Sequence, residues 1–171
     1  QGFAEDISFA ISDHYLPVGI NSDVPKKPIS AAVAVIDKID ILVGFFGINE
    51  KPTSSKDPFA LRRSAIGLLR TIIDNKLNLK LRNLISYNIK LLEEQGVRKT
   101  NENSENEILN FLKERMKNIL KNKNIKNDII EASISSYFND NYFDLYKKNT
   151  LMNKYINKEE GINAISSYKR A

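Results

Sequence analysis

Three clusters of charged residues carry most of the chemistry this sequence offers. Asp37, Lys38 and Asp40 interrupt an apolar stretch, and the two aspartates, three positions apart, share a face on a helix. Paired carboxylates suit Mg²⁺ binding or acid–base work; the same residues equally suit ion pairs to a neighbouring helix or a water-facing edge. The second cluster, Lys51-Pro52-Thr53-Ser54-Ser55-Lys56-Asp57-Pro58-Phe59-Ala60-Leu61-Arg62-Arg63, gathers hydroxyls, lysines and an arginine pair around a helix start. Free N–H groups at such a start favour anions. Lys51, Lys56, Arg62 and Arg63, with Arg70 further along, are therefore candidates to meet a phosphate backbone. The internal alternative has Asp57 capping the helix while Arg62 or Arg63 pairs with an acid such as Asp37 or Asp40. The segment is no P-loop, because it lacks the glycines and the Gly-Lys-Ser/Thr ending.

The third cluster sets Lys113, Arg115, Lys117, Lys121, Lys123 and Lys126 against Glu114 alone. Such a face can hold nucleic acid by counterion release, and it reads equally as a solvated helix face. His14, next to Tyr15 and Pro17 at a helix end, reads as structural. Tyr137, Phe138, Tyr142, Phe143 and Tyr146 are able to stack on bases, but helix packing explains them more simply.

Helices must position all of these residues. Phe3, Ile7, Ala10 and Ile11 share one face until Pro17 blocks continuation. After a Pro- and Gly-bearing loop over 17–28, Ile29 to about Phe46 is almost wholly apolar. Three charges in its middle argue for a buried core helix rather than a membrane span. Asp57-Pro58 predicts a helix start, Asp as N-cap and Pro first, reaching about Asn75. Another amphipathic helix runs from about Lys80 to Gln95, stopped by Gly96. The polar stretch 97–106 is the candidate boundary between a first region, 1–96, and a second, 97–171. Ser104-x-x-Glu107 predicts a capping box opening the next helix. Helices near 128–138 and 142–156 follow, with a last one opened by Asn157-x-x-Glu160. No strand shows sustained two-residue alternation, so the fold class is all-α, a helical bundle.

The composition narrows function further. At 171 residues, 42% hydrophobic and 27% charged, the chain can bury a core. Twenty-six basic residues against 21 acidic give +5, which suits a polyanion partner without demanding one. Zero Cys excludes disulfides, thiol nucleophiles and thiolate metal sites, and fits a reducing compartment. The single His excludes a His cluster for zinc. More than a third of the chain is Asn, Ile or Lys, as in AT-rich coding sequence, so individual surface lysines carry little weight. No apolar stretch suits a bilayer and no leader pattern is present. Helical patterning that runs to both ends suggests a piece of a longer protein.

The stretch Ala34-Val35-Ile36-Asp37-Lys38-Ile39-Asp40-Ile41-Leu42-Val43-Gly44-Phe45-Phe46-Gly47-Ile48, taken with Lys51 to Arg63, closely resembles the β subunit of bacterial heterotetrameric glycyl-tRNA synthetase. Ser54 stands where that family has Gly, and Ser64-Ala65-Ile66-Gly67 stands for Ala-Ala-Leu-Gly. His14-Tyr15-Leu16-Pro17 resembles the family's Glu-His-Tyr-x-Pro with Asp13 for Glu. Ile108 to Arg115 resembles its Phe-Leu-x-Asp-Arg-Leu helix. Tyr168-Lys169-Arg170-Ala171 resembles the start of its anticodon-binding region.

The resemblance implies that 1–96 is the C-terminal part of an HD-like helical domain and that 97–171 leads into the anticodon-binding domain. It implies a cytoplasmic α2β2 ligase, without membrane association, that charges tRNA(Gly). The partner α subunit would use ATP and Mg²⁺, and this fragment would have no cofactor or catalytic residue of its own. It makes Lys51, Lys56, Arg62, Arg63 and Arg70 candidate tRNA contacts. Two alternatives stand beside it. One is a structural spacer that meets the partner subunit without touching RNA. The other is a degenerate HD-type phosphohydrolase built on Asp37, His14 and Asp40, although one His cannot complete the HD metal set.

Overall fold

The computed structural model describes residues 4–19, 22–96, 101–137, 140–168 and 170. Phe3, Phe138, the Tyr137 side chain and positions 97–100 of the polar stretch lie outside it. The described residues form eight helices and no strand, so the chain is all-α.

The central element is α2 (Pro28–Gly47), 20 residues opened by a proline in its first turn, where a missing N–H costs nothing. Its apolar residues recur so densely that Ala34, Val35, Ile39, Leu42, Val43 and Phe46 are all buried. A helix apolar nearly all round must be covered on several sides. Here α1 (Glu5–Asp13), α3 (Leu61–Asp74), α4 (Leu81–Glu94) and α5 (Ser104–Asn122) all pack against it. The second side of the core is α5, whose Ile108, Leu112, Met116 and Leu120 recur every four residues and are fully buried. α6 (Asn127–Tyr137) and α7 (Tyr142–Ile156) then close over α5, and α7 also reaches α3. α8 (Glu159–Tyr168) packs on α7. One apolar cluster runs from Val35 to Leu145, drawing on α2 through α7. Each large side chain in it contributes about 1.5–3 kcal/mol by leaving water.

Two buried polar side chains of α7 have partners inside this core. Asn149 of α7 donates to the Ser133 hydroxyl at 2.8 Å and to the Leu145 carbonyl at 2.9 Å. Tyr142, with no exposed surface, donates to the Leu109 carbonyl at 3.3 Å. That aromatic residue is packing, as its sequence context suggests, and Phe143 and Tyr146 lie partly buried against the same cluster.

Several helix starts differ from the sequence expectation. α3 begins at Leu61 rather than Pro58, because a tight turn over 57–60 intervenes and Ala60 takes a left-handed conformation (φ 53°) as N-cap. The capping box at Ser104 does not form: Asn103 is the N-cap, and the Ser104 hydroxyl donates back to the Asn101 carbonyl. Asn157 ends α7 instead of opening α8, with its amide donating to the Asn153 carbonyl at 2.8 Å. On α1 the expected apolar face is only partly used: Ala10 is buried while Ile7 and Ile11 are exposed.

Candidate nucleic-acid interface

The loop between α2 and α3 is held rigid from inside. The Asp57 carboxylate accepts from two backbone N–H groups, Leu61 at 2.8 Å and Arg62 at 3.0 Å. These are orphan donors of the α3 N-terminus, so that end already holds an anion, the protein's own. The Thr53 hydroxyl accepts from the Lys56 N–H at 3.2 Å, and the Thr53 N–H donates to the Lys56 carbonyl at 2.9 Å. Arg62 turns inward, donating to the Thr53 carbonyl and lying 3.8 Å from the Asp57 carboxylate. Its acidic neighbour is therefore Asp57, not Asp37 or Asp40. Phe59 stacks on Phe45 of α2 at 4.2 Å between centroids, pinning the loop to the core helix.

The five candidate cations divide into two groups. Lys51 pairs with Glu107 of α5 at 2.6 Å, tying the loop to the next layer. Arg70 donates to the Gly19 and Ser22 carbonyls at 2.9 and 2.7 Å, fastening the α1–α2 loop onto α3. With Arg62, these three are engaged within the chain. Lys56 and Arg63 are exposed, and among the described residues neither side chain has a partner.

The charged trio on α2 also resolves. Lys38 is only 4% exposed, and its amine donates to the His14 carbonyl at 2.9 Å. Desolvation pushes that ammonium below its ordinary value, while the neighbouring Asp37 carboxylate opposes the shift. The side chain crosses α3 at Gly67, where an added Cβ would lie 2.9 Å from Lys38 Cε. Asp40 is exposed and accepts from the Asn88 amide at 3.3 Å. The His14 ring nitrogen Nδ1 lies 2.7 Å from the Ile11 carbonyl oxygen. Among the described residues no group of three or more His, Asp or Glu side chains is arranged to hold a metal ion. No helix among them is long and apolar enough to cross a membrane.

The basic run on α5 is only partly solvated. Lys117 bridges Glu114 and Glu131 at 3.3 and 3.0 Å. Arg115 lies against the Phe111 ring, 4.7 Å from its centroid, and faces a cleft between α3 and α5. Sequence reasoning placed Arg115 within the run without singling it out. Its spacing with Asn118 and Asn122 puts the three on one face of α5, and the packing of α3 beside α5 makes that face one wall of a cleft.

The family described as glycyl-tRNA synthetase beta subunit matches residues 1–135, and the chain belongs to it. The chain is 39% identical over 171 residues to the glycine–tRNA ligase beta subunit of Rickettsia canadensis, covering all of this chain and 24% of that protein. It is 37% identical over 171 residues to that of Rhodospirillum centenum, covering all of this chain and 23% of the relative. For Ruegeria sp. the figures are 35% identity over 171 residues, 99% of this chain and 23% of the relative. The chain thus spans about a quarter of the length of these relatives.

Proposed function

We propose that this chain is a region of a glycine–tRNA ligase β subunit that helps to hold tRNA(Gly) and has no catalytic residue of its own. The observation that carries the reading is the contrast within the 51–63 segment. Its internal ties fix the backbone, yet Lys56 and Arg63 stay exposed and unpartnered on that fixed frame. Two cations held in place without internal partners suit phosphate contacts, because little ordering of the loop remains to be done on binding. Because Asp57 occupies the α3 N-terminus, phosphate attraction here comes from side chains rather than from the helix end.

In this reading the chemistry belongs to a cytoplasmic α2β2 assembly, with ATP and Mg²⁺ used by the α subunit. The test is steady-state charging by the assembled ligase. Lys56→Ala with Arg63→Ala should raise KM for tRNA severalfold while glycine activation, measured by pyrophosphate exchange, is unchanged. Unchanged tRNA kinetics would remove the assignment.

A second reading, a spacer that meets the partner subunit without RNA, draws on the internal engagement of Lys51, Arg62 and Arg70. Hydrogen exchange on the assembled ligase separates the two. Protection of 51–63 by added tRNA supports the first reading; protection confined to subunit contacts supports the second.

A further inference from the structure

Between α3 and α5 lies a cleft of about 480 Å³, lined also by Tyr146 of α7. Its floor is apolar, formed by Ile66, Ile73 and Ile119. Arg70, Arg115 and Lys123 bring three positive charges to it, and Asp74 brings a carboxylate. Asn118 and Asn122, both exposed, add two side-chain amides one turn apart on α5.

Arg115 is the informative member. Its Nε is buried without a hydrogen-bond partner, although buried donors are almost always satisfied. Burial and the like charge of Arg62 both push its guanidinium below its ordinary value, which Glu114 and Asp57 only partly offset. An anion in the cleft that Arg115 lines would offset this like-charge contact. Ile66 also lines a second crevice, the one that holds Arg63, so the cleft and the exposed cation proposed above to meet RNA flank the same residue of α3.

We infer that the α3–α5 cleft takes one unstacked nucleotide of a bound RNA, with Arg115 and Lys123 holding its phosphate and Asn118 and Asn122 facing its base. The inference rests on the tRNA-holding reading of the 51–63 segment. The size favours a nucleotide, since the cleft is larger than an isolated phosphate needs. The apolar floor and the Tyr146 ring give a base a surface to lie on, and the amides offer donors and acceptors for its edge. An acidic peptide would use the cations but would leave the apolar floor and the amides without a role.

The test uses the assembled ligase and a tRNA(Gly) transcript, with affinity measured across a range of salt concentrations. Arg115→Gln and Lys123→Gln should each weaken binding at least fivefold and flatten the salt dependence by about one phosphate contact, a slope change of roughly 0.7–0.9. Asn118→Ala with Asn122→Ala should weaken binding severalfold with the salt slope unchanged, because those groups are neutral. Both asparagines are exposed, so this variant stays informative even if Arg115→Gln, which loses its packing on Phe111, fails to fold. If the asparagine variant binds like the parent, the nucleotide is overturned, whether or not the cations matter. If all cleft variants bind normally while Lys56→Ala with Arg63→Ala still weakens binding, the cleft fails and the RNA reading stands. If that last pair is also silent, both fall.

Discussion

The amine of Lys38, in the middle of the most apolar helix, donates to the carbonyl of His14 at 2.9 Å. That carbonyl belongs to the C-cap residue of α1, where a positive charge also meets the negative end of the helix dipole. This buried charge is one of the ties between α1 and α2, beside Lys27 over the Phe9 ring. Lys38→Met keeps the apolar stem and removes the donor, at a cost of about 1–3 kcal/mol. Amides of α1 should then exchange faster with deuterium than those of α3, which a peptide-resolved exchange experiment will show.

Two buried groups give the pH dependence opposite signs. The Lys38 ammonium lies below its ordinary 10.5, so its charge opposes folding at neutral pH, and that penalty is relieved as pH rises from its folded value toward 10.5. The Tyr142 hydroxyl is pushed well above its ordinary 10.0, chiefly by burial, so the unfolded chain loses this proton first and stability falls as pH rises past 10.0. Urea titrations at about pH 8 and about pH 10.5 separate them. Lys38→Met should remove the alkaline gain and Tyr142→Phe should blunt the alkaline loss. Tyr142→Phe should also cost about 0.5–1.5 kcal/mol at neutral pH through its lost bond to Leu109.

Asp57 joins loop to helix. Asp57→Ala frees two N–H groups and removes the carboxylate beside Arg62, for an expected loss of about 1–2 kcal/mol in thermal or urea unfolding. Asp57→Asn, with a single acceptor oxygen, should fall between the two.

At Gly161 an added Cβ would lie 2.2 Å from the Tyr155 carbonyl oxygen, a backbone atom that cannot step aside. Gly161→Ala should therefore separate α8 from α7 while the α2–α5 core keeps its stability. Amide chemical shifts of 159–168 should move, and those of α2 should not.

The sequence carried most of the helices because their apolar positions recur at helical spacing. α2, α4 and α7 fall within a residue or two of their expected spans. The start of α3 was not legible, because Asp57-Pro58 has the local form of a helix start. What moves the start to Leu61 is the tight turn over 57–60 and the left-handed Ala60, while Arg62 reaches back to the Thr53 carbonyl, nine positions earlier. Glu107 likewise has the right spacing for a capping box, yet its carboxylate pairs with Lys51, 56 positions earlier. The candidate site divides along the same line. Lys56 and Arg63 stay available, as residue type and spacing suggest, whereas Arg62 and Arg70 turn to loop carbonyls whose positions depend on tertiary packing. Arg115 emerges only when α3 and α5 are set side by side.

The ties from α3 to the segment between α1 and α2 bear on how the molecule assembles. Arg70 and Asn75 reach the carbonyls of Gly19, Ser22 and Pro25 across separations of 48 to 51 positions. Contacts that distant close large loops and form only after α2 and α3 have docked. The described residues 17–19 and 22–27 should thus be the last part of this region to become ordered and the first to open. They form a seam along which the native protein breathes without losing its centre.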